Sequence, residues 1–223
     1  GGIMESMSIK LPRTLSAKVT RLAKRAAYDG KTVHDIIDEA MICHVGVSDE
    51  QGPRVIPMFH ARIDSTLYLH GSQGSPLLLA LARGALTSVA FTLLDGLVLA
   101  RSAFHHSMNY RSVVILGQAE ETKGREQKLG VFERLVEHVV PGRWADARRP
   151  SEEEINATML VSLPITEASA KIRSGPASDD EQDYLLPIWA GVIPIEFRAG
   201  PPIADEKMAS SITTPDYVTA YRR

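Results

Sequence analysis

Residues 93–120, LLDGLVLARSAFHHSMNYRSVVILGQAE, are the most informative stretch of the chain. Two apolar runs flank a polar centre that contains two adjacent histidines and an Asn-Tyr-Arg-Ser cluster. Valine and isoleucine favour strands. A soluble protein rarely places so many polar groups between buried strands unless something polar is held there. The stretch therefore predicts two strands next to a binding site for an anionic, partly flat ligand.

Shorter β-prone runs lie on both sides of this stretch, at residues 41–48, 54–62, 67–71, 159–165 and 189–197. Turn-forming residues separate many of them, and no alternation of strands with helices appears. This spacing predicts an antiparallel barrel or sandwich with covering helices. Pro57 lacks one ladder donor, so its strand is expected to have an edge, a bulge or a ligand on that side.

Helix-forming patterns in the sequence predict several helices, and the chain divides into an N-terminal arm, a main domain and a tail. Apolar residues recur at helical spacing over residues 15–26, within an N-terminal arm of residues 1–27. The basic face of this helix indicates either a nucleic-acid-binding arm or, in better agreement with the overall charge, a solvated surface. A second helix is expected to begin at Thr32, with Asp35 in a capping box, and Ser151 with Glu154 forms another. The main domain then covers residues 28–200, and residues 201–223 form a tail.

The composition is that of an ordinary globular protein. The chain has 223 residues, of which 44% are hydrophobic and 23% charged, and a net charge of −2. This charge gives little attraction to nucleic acid or to anionic membranes. The single cysteine, Cys43, cannot form an intramolecular disulfide, and no apolar run approaches about 20 residues. We expect a soluble, cytoplasmic protein that binds neither nucleic acid nor membrane.

Two groups of residues could hold a ligand. The loop after the strand at 67–71, HGSQGS, combines glycines and serines before an apolar helix, which is typical of a phosphate cradle. Ser75 could equally be an ordinary helix N-cap. Arg111 suits a phosphate or a carboxylate, or it forms a structural ion pair. Trp189 could stack on a ring system, or it lies in a core or an interface.

Other chemistries lack their motifs. His105 and His106 are adjacent and would point to opposite faces of a strand, so they cannot readily share one metal ion. No zinc motif, carboxylate cluster or G-x-S-x-G sequence is present, so we expect no catalytic metal and no serine-hydrolase activity.

At these residues the sequence resembles the FMN-binding split-barrel superfamily related to pyridoxamine 5′-phosphate oxidase. Within it, the chain is most similar to the branch of nitroimidazole-resistance and flavin-nucleotide-binding proteins. The resemblance covers roughly residues 28–195. It is carried by RVIPM, LYLHGS, SMNYRSVVILGQAE, VVPGR, RRPSEEE, LPITEASAKIR and PIWAG.

The resemblance implies a mainly β, α+β fold: a six-stranded antiparallel split barrel with flanking helices. It also implies a homodimer with FMN at the subunit interface and His70 beside the flavin as a candidate catalytic group. The residues that it implies for cofactor binding are Arg54, Val55, Ile56, Pro57, His70, Gly71, Ser72, Ser75, Tyr110, Arg111, Ser112, Lys171 and Trp189. Pro76 and Leu79 stand where relatives usually carry a cation for the FMN phosphate. A missing charge-assisted contact costs about 1.5–3 kcal/mol, so we expect weaker FMN binding.

Three functions follow from the resemblance. The first is a flavin-dependent oxidoreductase that reduces a small aromatic or nitro compound with electrons from a nicotinamide donor. The alternative is a flavin carrier or sensor without turnover. A third function, haem binding, needs an axial ligand, for which His105 or His106 is the candidate.

Overall fold

The computed structural model describes residues 26–27, 29–50 and 52–222. Over these residues the chain forms eleven strands in two antiparallel sheets, together with six α-helices. The strands are β1 Ala26–Ala27, β2 Ile42–Asp49, β3 Gly52–Phe59, β4 Ala61–Ile63, β5 Thr66–Ser72, β6 Leu86–Leu99, β7 Ser107–Gln118, β8 Glu120–Glu121, β9 Thr158–Pro164, β10 Glu167–Arg173 and β11 Gly191–Pro194. The helices are α1 Gly30–Glu39, α2 Pro76–Ala82, α3 Arg125–Val139, α4 Arg143–Asp146, α5 Glu152–Ala157 and α6 Asp216–Thr219.

The stretch quoted first forms the centre of the larger sheet. β6 and β7 pair with each other over most of their length, as the two apolar runs predicted. β6 begins at Leu86, before the quoted stretch, and continues to Leu99, because the ladder resumes after a β-bulge between Leu94 and Gly96. His105 and His106 do not lie on a strand. They lie in the turn between β6 and β7, where Ala103–His105 form a 3-10 helix.

The larger sheet has the order β1-β10-β7-β6-β2-β3, and β11 also pairs with β6. The smaller sheet has the order β4-β5-β9-β8. β3, which carries Pro57, is an edge strand, and this confirms one of the alternatives that the proline indicated. The predicted run over residues 54–62 is divided at His60 into β3 of one sheet and β4 of the other.

A single apolar core joins the two sheets and packs against α1 and α2. Phe91 of β6 is among its largest fully buried side chains. A smaller cluster, which includes Val131 and Leu135 of α3, lies on the other side of the smaller sheet. The architecture is the antiparallel split barrel with flanking helices that the sequence predicted.

The helix termini partly match the sequence prediction. α1 begins at Gly30 and not at Thr32, because the Asp29 side chain accepts a hydrogen bond from the Thr32 backbone N–H at 3.1 Å and is the N-cap. Asp35 instead pairs with Lys31 one helical turn earlier. The capping box of Ser151 and Glu154 is confirmed. The helix predicted over residues 15–26 lies almost entirely outside the described residues.

None of the helices in the described part of the chain is both long enough and apolar enough to cross a membrane.

Candidate functional site

Two depressions lie on the surface near the β2–β3 hairpin. The larger one, called the cleft here, has a volume of about 700 Å³. Its walls come from the end of α1, the start of β2, the middle of β6 and the segment after β11. The lining residues are Glu39, Ala40, Met41, Ile42, His44, Pro57, Thr92, Leu93, Leu94, Asp95, Arg111, Ile195, Glu196 and Phe197.

The cleft exists because two short strands share one edge of β6. β2 pairs with β6 only over Thr87–Ala90, and β11 pairs with it only over Gly96–Leu99. Between them, no strand of the described chain pairs with residues 91–95 on that edge. An open sheet edge exposes backbone donors and acceptors in a row. Residues 92–95 of this edge line the cleft, and the Asp95 carbonyl oxygen already accepts a hydrogen bond from the Ile195 N–H at 3.1 Å.

A charged cluster occupies one wall of the cleft. Asp95 is the extra residue of the β6 bulge, and its carboxylate accepts two hydrogen bonds from Arg111, at 2.8 and 2.9 Å. The Glu39 carboxylate at the end of α1 accepts two further hydrogen bonds from the same guanidinium. Arg111 is the only permanent cation among the lining residues, and two carboxylates neutralise it. The structure thus matches the ion-pair alternative for Arg111.

The smaller depression, called the groove here, has a volume of about 260 Å³ and almost entirely apolar walls. α3 supplies one wall, and the ends of β3 and β5 supply the other. The lining residues are Phe59, His70, Leu135, Val136, Val139, Val140 and Arg143.

His70 is the polar group inside the groove. Its Nδ1 atom is buried and has no hydrogen-bond partner. Burial lowers the pKa of His70 below its ordinary value, so the imidazole is neutral at pH 7. Buried polar atoms in native proteins nearly always have a partner. The buried Nδ1 atom of His70 is an exception to this rule, and the residue also lines the groove.

The cleft and the groove share one wall. Pro57 lines the cleft and Phe59 lines the groove, and they are two residues apart on β3, which is about 7 Å along a strand. Ile42, which lines the cleft, is the register partner of Phe59 on β2. Ligands bound in the two depressions would be near neighbours.

Two buried histidines that the sequence prediction missed lie behind this wall. His60 Nε2 donates to the Ile37 carbonyl oxygen at 2.9 Å, and His138 Nε2 donates to the Ala40 carbonyl oxygen at 3.0 Å. Their ring centroids are 4.9 Å apart. The pair ties the end of α1, beside the cleft, to α3, beside the groove. No local motif marks either residue, because their proximity depends on the tertiary fold.

The residues predicted for phosphate binding lie at the start of α2. Ser75 is the N-cap of this helix, and its Oγ accepts a hydrogen bond from the Leu78 N–H at 3.4 Å. Gly71 packs so closely that a Cβ there would lie 2.8 Å from Leu78 Cδ1. Ser72 is exposed at the end of β5. The capping alternative for Ser75 is confirmed, and the glycine serves packing between strand and helix.

The other predicted residues are spread over the larger sheet and the segment after it. Ser112 donates from its hydroxyl to the Lys171 carbonyl oxygen at 3.3 Å, and Tyr110 is the register partner of Arg173. Arg54 pairs with Asp49 inside the β2–β3 hairpin. Val55, Ile56 and Trp189 are exposed. The structure does not bring His70 and Arg111 into one depression of a single chain, and the roles predicted for these residues stay predictions.

No group of three or more potential metal ligands occurs in the part of the chain that the structure describes. His105 lies 3.5 Å from the Asp180 carboxylate, and His106 Nδ1 bonds the Ser102 carbonyl oxygen. Neither histidine lines the cleft or the groove. Cys43 is buried, and burial raises the pKa of its thiol to about 12.

These depressions belong to an antiparallel split barrel, and comparison with known proteins identifies the family. A family model described as pyridoxamine 5′-phosphate oxidase matches residues 29–172. The chain therefore belongs to the pyridoxamine 5′-phosphate oxidase family, as its resemblance indicated. The comparison with curated proteins finds no match.

Two solved structures are similar over nearly the whole chain. The flavocytochrome Anf3 from Azotobacter vinelandii is 38% identical, with a TM-score of 0.89, over 94% of this chain and 97% of that one. An FAD and heme binding protein from Mycobacterium smegmatis is 32% identical, with a TM-score of 0.84, over 88% of this chain and 96% of that one. A putative 5-nitroimidazole antibiotic resistance protein from Bacteroides thetaiotaomicron shares the fold at 24% identity and a TM-score of 0.56, over 66% of this chain and 86% of that one.

The lowered pKa of His70 predicts a pH dependence of stability. Because the unfolded chain takes up a proton at a higher pH than the folded chain, folding loses stability as the pH falls below about 6.5. In His70→Gln this contribution is absent, so the variant should lose less stability than the wild type between pH 7.5 and pH 5.5. Urea unfolding of both proteins at the two pH values measures the difference. A larger loss in the variant would contradict the neutral, buried state of His70.

Proposed function

We propose that this chain is an oxidoreductase that binds a flavin in the cleft and a haem in the groove. The observation that carries the proposal is the neutral, unpartnered His70 in an apolar groove. Two relatives that align over nearly their full length are named as a flavocytochrome and as an FAD and heme binding protein, which supports both cofactors.

The residues of the groove fit a haem. A neutral imidazole is the commonest protein ligand of haem iron, and the His70 imidazole lines the groove with its Nδ1 atom buried behind it. Aliphatic side chains from α3 and the ring of Phe59 match the apolar face of a porphyrin. His70 replaces His105 and His106 as the candidate axial ligand, because those two lie in a turn outside the groove. When bound, the haem would supply one-electron chemistry.

The cleft fits a flavin ring better than a flavin phosphate. Its volume and the sheet edge along residues 92–94 suit a tricyclic ring whose edge carries hydrogen-bond donors and acceptors. Its only permanent cation is Arg111, which is already paired with Glu39 and Asp95. The phosphate group or groups of the cofactor then extend out of the cleft, and this is compatible with FMN or with FAD. When bound, the flavin would supply two-electron hydride chemistry.

The shared wall supports electron transfer between the two sites. Ile42 and Phe59 are paired on adjacent strands and are each about half exposed, at 49%. Their apolar side chains lie between the two depressions, with Ile42 lining the cleft and Phe59 lining the groove. We propose a nicotinamide as the electron donor, and the proximity of the cleft and the groove would allow electrons to pass between a flavin and a haem when both are bound. The small aromatic or nitro acceptor predicted from the sequence stays a prediction, as does the alternative of a flavin carrier without turnover.

Haem binding should depend on His70. Apoprotein titrated with haemin is expected to develop a shifted Soret band, and His70→Ala should weaken the affinity at least tenfold, because loss of about 1.4 kcal/mol corresponds to one decade. The double variant His105→Ala and His106→Ala is the control and should bind like the wild type. Equal binding by His70→Ala and the wild type would refute the proposed ligand.

The cleft should bind a flavin mainly through its ring, and the phosphate groups should add little to the affinity. We expect FMN, FAD and riboflavin to bind within about tenfold of one another, because the cleft provides no uncommitted guanidinium for a charge-assisted contact. Quenching of flavin fluorescence measures the three affinities.

Anaerobic addition of NADPH or NADH should bleach the flavin band, followed by a shift of the haem Soret band in protein that holds both cofactors. Bleaching with an unchanged Soret band would contradict transfer between the sites.

We also propose a homodimer, as the family resemblance implied. β3 is an edge strand, and its apolar residues Val55 and Phe59, which share one face of the strand, are 68% and 49% exposed. A contiguous exposed apolar surface in a soluble protein commonly marks an interface. Because Phe59 also lines the groove, a second copy on this surface would help to cover a ligand there.

Light scattering coupled to gel filtration tests the dimer. The wild type should have about twice the chain mass of 24.4 kDa. Val55→Asp places a charge on the exposed face of β3 and should shift the protein toward the monomer. Ile203→Asp is a matched control, since Ile203 is 95% exposed in the C-terminal segment. A monomeric wild type would exclude the proposal.

A further inference from the structure

The rim of the groove carries one charged residue, Arg143, and the C-terminal segment holds its side chain. Arg143 Nη1 donates a hydrogen bond to the Tyr217 hydroxyl oxygen at 3.2 Å. The same hydroxyl donates to Asp146 Oδ2 at 2.7 Å. Tyr217 therefore connects the guanidinium of Arg143 to the carboxylate of Asp146, at the other end of α4.

The C-terminal segment also packs on the turn that leads to Arg143. Gly142 has a φ of +90°, and a Cβ there would meet the Tyr217 ring at 3.4 Å. Four residues later, the Tyr221 hydroxyl donates to the Val139 carbonyl oxygen at 2.8 Å. Both Val139 and Arg143 line the groove. Residues 217–221 thus support the groove wall from behind, although they are more than 70 positions away in the chain.

Arg143 keeps most of its donor capacity. A guanidinium has five N–H donors, and the bond to Tyr217 is the one hydrogen bond from its side chain among the described residues. The side chain is exposed at the mouth of the groove. An arginine in this position matches a carboxylate on the edge of a flat, apolar ligand.

We propose that Arg143, positioned by Tyr217, binds a carboxylate of the porphyrin in the groove and so fixes the orientation of the macrocycle. This inference rests on the haem site proposed above. A single imidazole among aliphatic side chains holds the iron but cannot distinguish one edge of the ring from another. A cation at the rim makes that distinction, because the carboxylates of haem lie on one edge.

Tyr217 is the positioning residue in this arrangement. A free arginine side chain loses conformational freedom when it binds, and the bond to Tyr217 removes part of that freedom in advance. The VVPGR motif at residues 139–143 thereby gains a role: the glycine accepts the tyrosine ring, and the arginine faces the ligand.

The test compares haemin with haemin dimethyl ester, which lacks the free carboxylates. Absorbance titrations give both affinities for the wild type, Arg143→Gln, Tyr217→Phe and Tyr221→Phe. Arg143→Gln should bind haemin about tenfold more weakly, as expected for one charge-assisted hydrogen bond, and the ester within about twofold of the wild type. Tyr217→Phe should shift the ratio of the two affinities in the same direction by about threefold.

Tyr221→Phe is the matched control, because Tyr221 lies on the same segment and bonds the backbone rather than Arg143. It should leave the ratio of haemin to ester affinity unchanged. Thermal unfolding followed by circular dichroism confirms that each variant folds. A wild type that binds neither porphyrin would refute the haem site and this proposal together. A wild type that binds both, with Arg143→Gln changing both affinities alike or neither, would refute the role of Arg143 alone.

Discussion

The limited pairing along one edge of β6 shapes most of the candidate site. This strand has fourteen residues, while its partners β2 and β11 each pair with only four of them on that edge. The unpaired stretch becomes the floor of the cleft, and the bulge at its end turns Asp95 toward Arg111. β2 and β3 then separate the cleft from the groove. A ladder continued across residues 91–95 would close the cleft and leave no separate site beside the groove.

The sequence predicted the elements of the fold well, because strand and cap signals are local. Alternating β-branched residues marked β6 and β7, and Ser151 with Glu154 marked the start of α5. The start of α1 was misplaced because Asp29 and Thr32 are both good capping residues. Asp95 and Gly96 are turn-forming residue types, whereas the fold uses them in a bulge within β6.

The site was harder to predict, because its geometry depends on which loops and strands meet. Arg111 and His70 were both recognisable as functional candidates, yet the sequence could not show that they face different depressions. His60 and His138 are 78 residues apart and meet only in the folded chain. The family resemblance supplied the split barrel and the flavin. It could not assign an apolar groove to His70, since that groove requires α3 to pack beside β5.

The groove also illustrates a conflict between stability and binding. Burying an unsatisfied imidazole nitrogen costs about 1–3 kcal/mol, and replacing His70 with an aliphatic residue would remove that cost. The exposed apolar residues of β3 are similarly unfavourable in an isolated chain. The haem and the second copy of the chain proposed above would cover these features and offset their cost. The unfavourable groups therefore lie next to one another around Phe59, where one binding event and one interface would satisfy both.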